Sequence, residues 1–298
     1  MPTPSASSSP AAPLIDGWLN VFRLTADDPI QAPDAHTAAT NELFGGDAAS
    51  SWLATTLADG ITAMDASGVA RALIGVTTRA AGAPQPGQGV DFGPVEFGLE
   101  ACRREPDRVR LVLQVHDVTL PHAAAAQVRR HGALDEVVAV GVFPAALGCD
   151  ITDRRLYPLY SACVDLGLPV RINLGIAGPH LASKHQHPAM LEELLIDFPE
   201  LVVIGCHMGH PYERLIVRLI MKFPNLFLMT SGYLPKYFDP ELVRFMGSSR
   251  GSGRIVFGSD HPGIPLSRAL DEARRLAIGD SARDEFLGAA LARLIRWS

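Results

Sequence analysis

Three short polar clusters interrupt the apolar second half of this chain. They are CHMGHP at residues 206–211, TSGYLPKY at 230–237 and GSDHP at 258–262. Asp260 is of the type that takes a proton from a water or hydroxyl as a general base. His207 can orient that carboxylate, shuttle protons or polarise a carbonyl. His261 directly follows Asp260 and so points to a different side; it stands as a second candidate for contact with a ligand. Tyr233 and Lys236 offer a phenol and an ammonium to a carbonyl or carboxylate. Plain structural duties compete with each reading: Asp260 as a cap on the GSDHPG turn, His207 as a core histidine satisfied by backbone. Two further stretches carry polar groups in apolar surroundings. PVRINLG at 169–175 holds Arg171 and Asn173, which are two apart and share a face of any strand. IDGWLNVF at 15–22 holds Trp18 and Asn20.

Elements must bring these distant residues together. Short apolar, β-branched runs occur at 14–16, 69–76, 109–115, 137–143, 168–174, 201–205, 226–230 and 254–259. Continuous apolar runs suit strands buried on both faces of a parallel sheet. Helical patterns lie between them, so strand and helix alternate about eight times. This predicts a (β/α)8 TIM barrel of α/β class. An open doubly wound sheet is the alternative, but its Gly-x-Gly-x-x-Gly turn is absent. In such a barrel the site lies at the C-terminal strand ends, which is where the polar residues fall. Residues 14–298 are read as a single barrel and 1–13, rich in Pro, Ser and Ala, as a disordered tail. The weakly periodic stretch 23–51 reads as an insertion folding over the barrel mouth.

Composition narrows the class. The 298 residues are 47% hydrophobic, enough for a large core, and the formal net charge is −6. Basic residues form no run, so neither nucleic acid nor a membrane surface is an expected partner. The four cysteines stand singly in apolar segments and read as reduced, buried thiols. No signal peptide or membrane span is expected, which predicts a soluble, cytoplasmic protein. A homo-oligomer is left open.

With these residues on the page, a family emerges. GCHMGHPYERL resembles the His-x-Gly-x-Pro element of the second amidohydrolase family. FLMTSGYLPKYFDPELVRFM followed by GRIVFGSDHP is similar to that family's strands seven and eight. DRRLYPLYSACVDLGLPV resembles the approach to its strand five. The resemblance is colinear from Ile15 onward and points to the branch of the aminocarboxymuconate-semialdehyde decarboxylases. It implies an amidohydrolase-like barrel in a family of decarboxylases, hydrolases and hydratases.

The resemblance also implies a metal site, and here the chain departs from it. The two strand-one histidines fall on Trp18 and Asn20, and the strand-five histidine falls on Asn173. His207 and Asp260 are kept. Zinc in an enzyme takes about three nitrogen, sulfur or carboxylate ligands, and neither Trp nor Asn suits it. The expectation is no cofactor; the alternative is a weakly held divalent metal such as zinc at His207 and Asp260, or a displaced site using His185, His187, His210 or His261. Trp18 then fills the space of the metal or stacks on an aromatic ring. If Asn173 faces the barrel axis like its family counterpart, Arg171 does too. A buried guanidinium needs an anion, either a substrate carboxylate or Asp16 or Asp260.

The leading expectation is a metal-independent hydrolase cleaving a C–O or C–N bond, a lactone or amide, in a small carboxylated substrate. Asp260 and His207 are the catalytic candidates. Arg171, Asn173, Asn20, Trp18, Tyr233 and His261 are the substrate-binding ones. A non-oxidative decarboxylase (a carboxy-lyase) of an aromatic or muconate-like acid is the second reading. A ligand- or partner-binding pseudoenzyme is the third.

Overall fold

A branched apolar run without alternation has to bury both faces, and a closed parallel barrel ringed by helices does this. The computed structural model describes residues 12–30, 52–78, 92–178 and 180–297. Its eight strands form one parallel sheet in sequence order. They are β1 (Ile15–Leu19), β2 (Arg71–Thr77), β3 (Val109–Val115), β4 (Val137–Val142), β5 (Val170–Asn173), β6 (Val203–Cys206), β7 (Leu226–Met229) and β8 (Ile255–Val256). The main helices are α1 (Leu57–Ser67), α2 (Val95–Arg104), α3 (Pro121–Gly132), α4 (Tyr157–Leu166), α5 (Leu191–Asp197), α6 (Glu213–Lys222), α7 (Pro240–Met246) and α8 (Leu266–Arg274). This is the (β/α)8 barrel that the residue pattern predicts. The expected tail falls almost wholly outside the described residues, as does 31–51 of the expected insertion. Among the described residues no helix is long and apolar enough to cross a membrane.

Alternation along each strand sorts the apolar residues into two cores. Leu73, Val112, Val138, Ile204, Met229 and Val256 form one cluster with Ala290, Leu291 and Ile295 of the C-terminal helical segment. That segment lies against the start of β1: a Cβ at Gly288 would fall 2.0 Å from the Pro13 carbonyl oxygen. It therefore covers the N-terminal end of the barrel and leaves the other end for the site. The opposite strand faces, including Ile74, Leu111, Val140, Ile172 and Leu228, pack with the helices. Local signals start and stop those helices. At α1, Thr56 and Asp59 form a reciprocal capping box and Gly68 ends the helix at φ 74°.

Closure between β8 and β1 is the least regular part. β8 is two residues long, and the chain beyond it continues along β1 through three backbone hydrogen bonds. Gly17 N–H donates to the Phe257 carbonyl (3.0 Å), Asp260 N–H to Trp18 (2.9 Å) and Asn20 N–H to His261 (2.9 Å). The β1–β2 register slips between Asp16 and Leu19. Ile15 and Trp18, three residues apart, consequently join the same interior cluster. Asp16 holds this seam. Its Oδ1 accepts the Trp18 N–H (3.0 Å) and the Ser259 N–H (2.8 Å), and its Oδ2 accepts the Ser259 hydroxyl. The carboxyl is completely buried, and that burial lifts its pKa to about 6 against the pull of these donors.

Asp16→Ala should therefore cost roughly 2–5 kcal/mol, because two buried backbone N–H groups lose their acceptor at about 1–3 kcal/mol each. Asp16→Asn, which keeps one carbonyl oxygen for both, should cost markedly less. Urea denaturation midpoints measure the difference, and equal losses would contradict the clasp.

Candidate active site

The C-terminal strand ends bring five of the sequence-selected residues into one connected group. Trp18 donates its indole N–H to Asn20 Oδ1 at 3.1 Å. Asn20 donates its amide N–H to Asp260 Oδ1 at 2.8 Å. The guanidinium of Arg171 lies over the Trp18 ring, 3.9 Å from its centroid. The His207 ring packs against the same indole at 4.5 Å and 58°. Trp18 is 7% exposed, so its ring is a filler between Arg171 and His207, with little face left to stack on a ligand.

Arg171 crosses the barrel from β5, and its Nη1 donates to the Gly17 carbonyl on β1 at 2.9 Å. It therefore faces the axis, as its place beside Asn173 implied. It is 2% exposed, its Nε has no hydrogen-bond partner, and the Cys206 thiol lies against it. Among the described residues no carboxylate reaches it within 4.0 Å. The expected alternative of an ion pair with Asp16 or Asp260 is thus absent; Asp16 is committed to the seam instead. Asn173, two residues on, is half-buried and pairs in register with Cys206.

Backbone conformation singles out the two proton-moving candidates. Among the described residues, the non-glycine residues with positive φ are His207 (56°), Met208 (60°) and Asp260 (64°). Such conformations cost on the order of 1–3 kcal/mol each and persist only where surrounding structure holds them. His207 is held by Ser231, whose Oγ accepts its backbone N–H at 3.2 Å. Its Nδ1 lies 3.2 Å from both the Oγ and the carbonyl oxygen of Ser231. Between His207 and Asp260 sits Gly232 at φ 78°. A Cβ there would lie 3.2 Å from His207 Nδ1 and 3.4 Å from Asp260 Oδ2, so glycine keeps the space between them open.

Burial sets the charge states. It lifts the Asp260 carboxyl to about 7, with the nearby Asp16 charge adding to the rise and the Asn20 hydrogen bond and Arg171 opposing it. It pushes His207 down to about 4, with the Ser231 carbonyl working against the shift. At neutral pH the site therefore holds a neutral imidazole, a carboxyl poised between its two forms and a guanidinium with no counter-ion in contact among the described residues.

The other candidates stand apart. His261 Nδ1 accepts the Leu266 N–H at 3.3 Å, so its ring is turned into the loop before α8. Tyr233 packs on the His210 ring at 5.2 Å and makes no hydrogen bond to the five. Lys236 is exposed, with its ammonium over Tyr237. The histidines considered for a displaced metal are engaged separately: His185 with Asp150, His210 with Glu213, and His187 with the Ala189 N–H and the Tyr212 ring. Among the described residues no group of three or more His, Cys, Asp or Glu side chains could hold a metal ion. Asn20 also turns an N–H toward Asp260 and gives its oxygen to Trp18. The residues present do not fit the metal that the family resemblance implies.

Sequence reasoning missed Gln114 and Gly141. Gln114 is the one amide in the apolar strand VRLVLQV, and Gly141 interrupts the branched run VVAVGV. A Cβ at Gly141 would fall 2.0 Å from Gln114 Oε1, so the Gln114 side chain occupies the space that Gly141 leaves open on β4.

Comparison with known proteins follows the fold. The amidohydrolase family model matches residues 25–297. No curated protein sequence matches the chain. Among solved structures, an uncharacterized TIM-barrel protein from Bordetella bronchiseptica is 23% identical, with a TM-score of 0.73 over 94% of this chain and 97% of that one. The 5-carboxyvanillate decarboxylase of Sphingomonas paucimobilis is 15% identical, with a TM-score of 0.67 over 96% and 99%. A probable 2-pyrone-4,6-dicarboxylic acid hydrolase from Acinetobacter baumannii, solved with citric acid bound, is 14% identical, with a TM-score of 0.58 over 94% and 98%.

The hydrogen bond from Asn20 favours the ionised form of Asp260. Asn20→Ala should raise the Asp260 pKa above about 7. Carbon-13 NMR of labelled aspartate side chains, followed against pH in the free protein, reads this directly. An unchanged or lowered value would contradict the bond's role.

Proposed function

Because this chain is a member of the amidohydrolase family, we propose that it is an enzyme that hydrolyses a lactone or amide bond in a small carboxylated substrate, without a catalytic metal. The observation that carries this reading is the buried pair of opposite function, Asp260 poised near neutrality and Arg171 with no carboxylate in contact. A guanidinium in that state gains from an anionic ligand, because desolvation has already been incurred and no partner offsets it. Arg171 accordingly binds a substrate carboxylate. The likeness to a decarboxylase and to a probable hydrolase of carboxylic acids supports this substrate class.

In the proposed reaction, ionised Asp260 accepts a proton from water as the water oxygen bonds to the carbonyl carbon. The carbonyl electron pair moves onto its oxygen. In the tautomer whose Nδ1 accepts the Ser231 hydroxyl rather than donating to the Ser231 carbonyl, neutral His207 presents its Nε2–H to that developing oxyanion. Collapse re-forms the carbonyl and expels the leaving oxygen or nitrogen, which takes the proton back from Asp260. Atoms balance, and no charged acid is required of His207, in keeping with its depressed pKa.

A second reading uses the same carboxyl in its other form. Protonated Asp260 delivers its proton to a ring carbon as carbon dioxide leaves. The raised pKa and the likeness to a decarboxylase favour it. An arginine paired with the departing carboxylate would oppose that loss, which leaves hydrolysis the better fit.

The two readings differ in sign with pH. For hydrolysis, kcat/KM should rise through about pH 7 as Asp260 ionises; for decarboxylation it should fall through the same value. Asp260→Asn should lower turnover at least about 100-fold, the order of losing a positioned base, while binding changes far less. Arg171→Met should instead weaken binding. Chelators should leave activity intact. An Asp260→Asn enzyme with full turnover, or a wild type that binds carboxylates and returns every one unaltered, would sink the catalytic assignment.

A further inference from the structure

Gln114, Gly141 and Arg171 occupy one row of the barrel. Gln114 pairs in register with Gly141 across β3 and β4, and Gly141 pairs with Arg171 across β4 and β5. All three positions face the axis near the C-terminal strand ends. Gly141 contributes no side chain, and the Gln114 amide takes the vacancy: a Cβ at 141 would meet Oε1 at 2.0 Å, Cδ at 2.5 Å and Nε2 at 2.7 Å. The amide is thereby delivered to the strand beside Arg171.

Two polar groups of this row lack a hydrogen-bond partner among the described residues. Gln114 is 8% exposed, and its amide makes no hydrogen bond to any described residue, yet it is not sealed from solvent. The Nε of Arg171 is buried without a partner. A buried donor left unpaired, such as Arg171 Nε, is costly, and a solvent-accessible amide on the neighbouring strand offers a second donor to any anion that approaches the guanidinium.

We propose that Gln114 is a specificity-determining residue: its amide N–H and the Arg171 guanidinium together bind one substrate carboxylate in the barrel interior, between β4 and the arginine side chain that crosses from β5 to β1, and Gly141 is required so that the amide can take its place there. This inference rests on the proposed carboxylated substrate and adds the residues that select for it.

The decisive measurement is binding without turnover. Calorimetric titrations of the full chain use formate and benzoate, with formamide and benzamide as their neutral counterparts. Wild-type protein should bind each carboxylate more tightly than its amide. Gln114→Met keeps the length of the side chain and removes the amide. It should weaken carboxylate binding about tenfold or more, the range for a hydrogen bond to a charged group. Gly141→Ala displaces only the flexible end of Gln114, so the fold should persist with an unchanged denaturation midpoint while carboxylate binding falls to a similar extent. The two changes should not add, since both remove the same contact. The proposal is overturned if neither carboxylate outbinds its amide, if either variant binds as wild type, or if the losses add. Asp260→Asn should keep the carboxylate preference, so a failed reaction and a failed recognition site give different results.

Discussion

A single buried carboxyl closes this barrel. β8 is too short to zip against β1 by backbone ladder alone, and β1 carries a bulge where the two meet. Asp16 supplies the missing acceptors: it takes two backbone N–H groups and one hydroxyl, one donor from within β1 and two from Ser259 beyond β8. Everything at the site hangs from that seam. The bulge turns Trp18 inward, Asn20 sits two residues beyond it, and the Asp260 N–H is bonded to the Trp18 carbonyl. An alanine at position 16 would remove the geometry that presents Asp260 and with it one of the charges that raise the Asp260 pKa.

The same seam shapes the electrostatics. Two acids, Asp16 and Asp260, and one guanidinium share a buried volume without an ion pair in contact. Charge at Asp16 helps keep Asp260 near neutrality, and Arg171 opposes that rise. Arg171 is held in place by a neutral carbonyl, an indole face and a thiol rather than by a carboxylate. Its charge is left available, which is the property that the proposed anionic substrate would use. Polar contacts to neutral groups position a cation without neutralising it.

The amidohydrolase family model matches residues 25–297 and so begins after β1. Where the family's resemblance implies two metal-binding histidines, this chain has an indole and an amide that bond to each other and to Asp260. The aspartate is oriented by the Asn20 amide. Its backbone, like that of His207, is held in the left-handed region.

The barrel itself was legible because uninterrupted apolar runs admit few alternatives to a doubly covered parallel strand. Residues 109–115 read as a strand and are one, and the polar clusters at 206–211 and 258–262 lie at strand ends as such a barrel demands. That Arg171 shares the interior face with Asn173 followed from their spacing of two. Register was not legible. The run at 254–259 reads as a full strand, yet only Ile255–Val256 pairs with β7, because the chain beyond turns to bond β1. Simple alternation from Ile15 would send Trp18 and Asn20 outward, and the bulge reverses them. Nothing near Arg171 in sequence says that the acids expected to pair with it are engaged elsewhere. Nor does a glycine 27 positions beyond a glutamine announce that it leaves room for the amide. Apolar periodicity is a local property and survives in one dimension. Which polar atoms meet is decided by how the strands close, and a one-residue slip changes every such meeting.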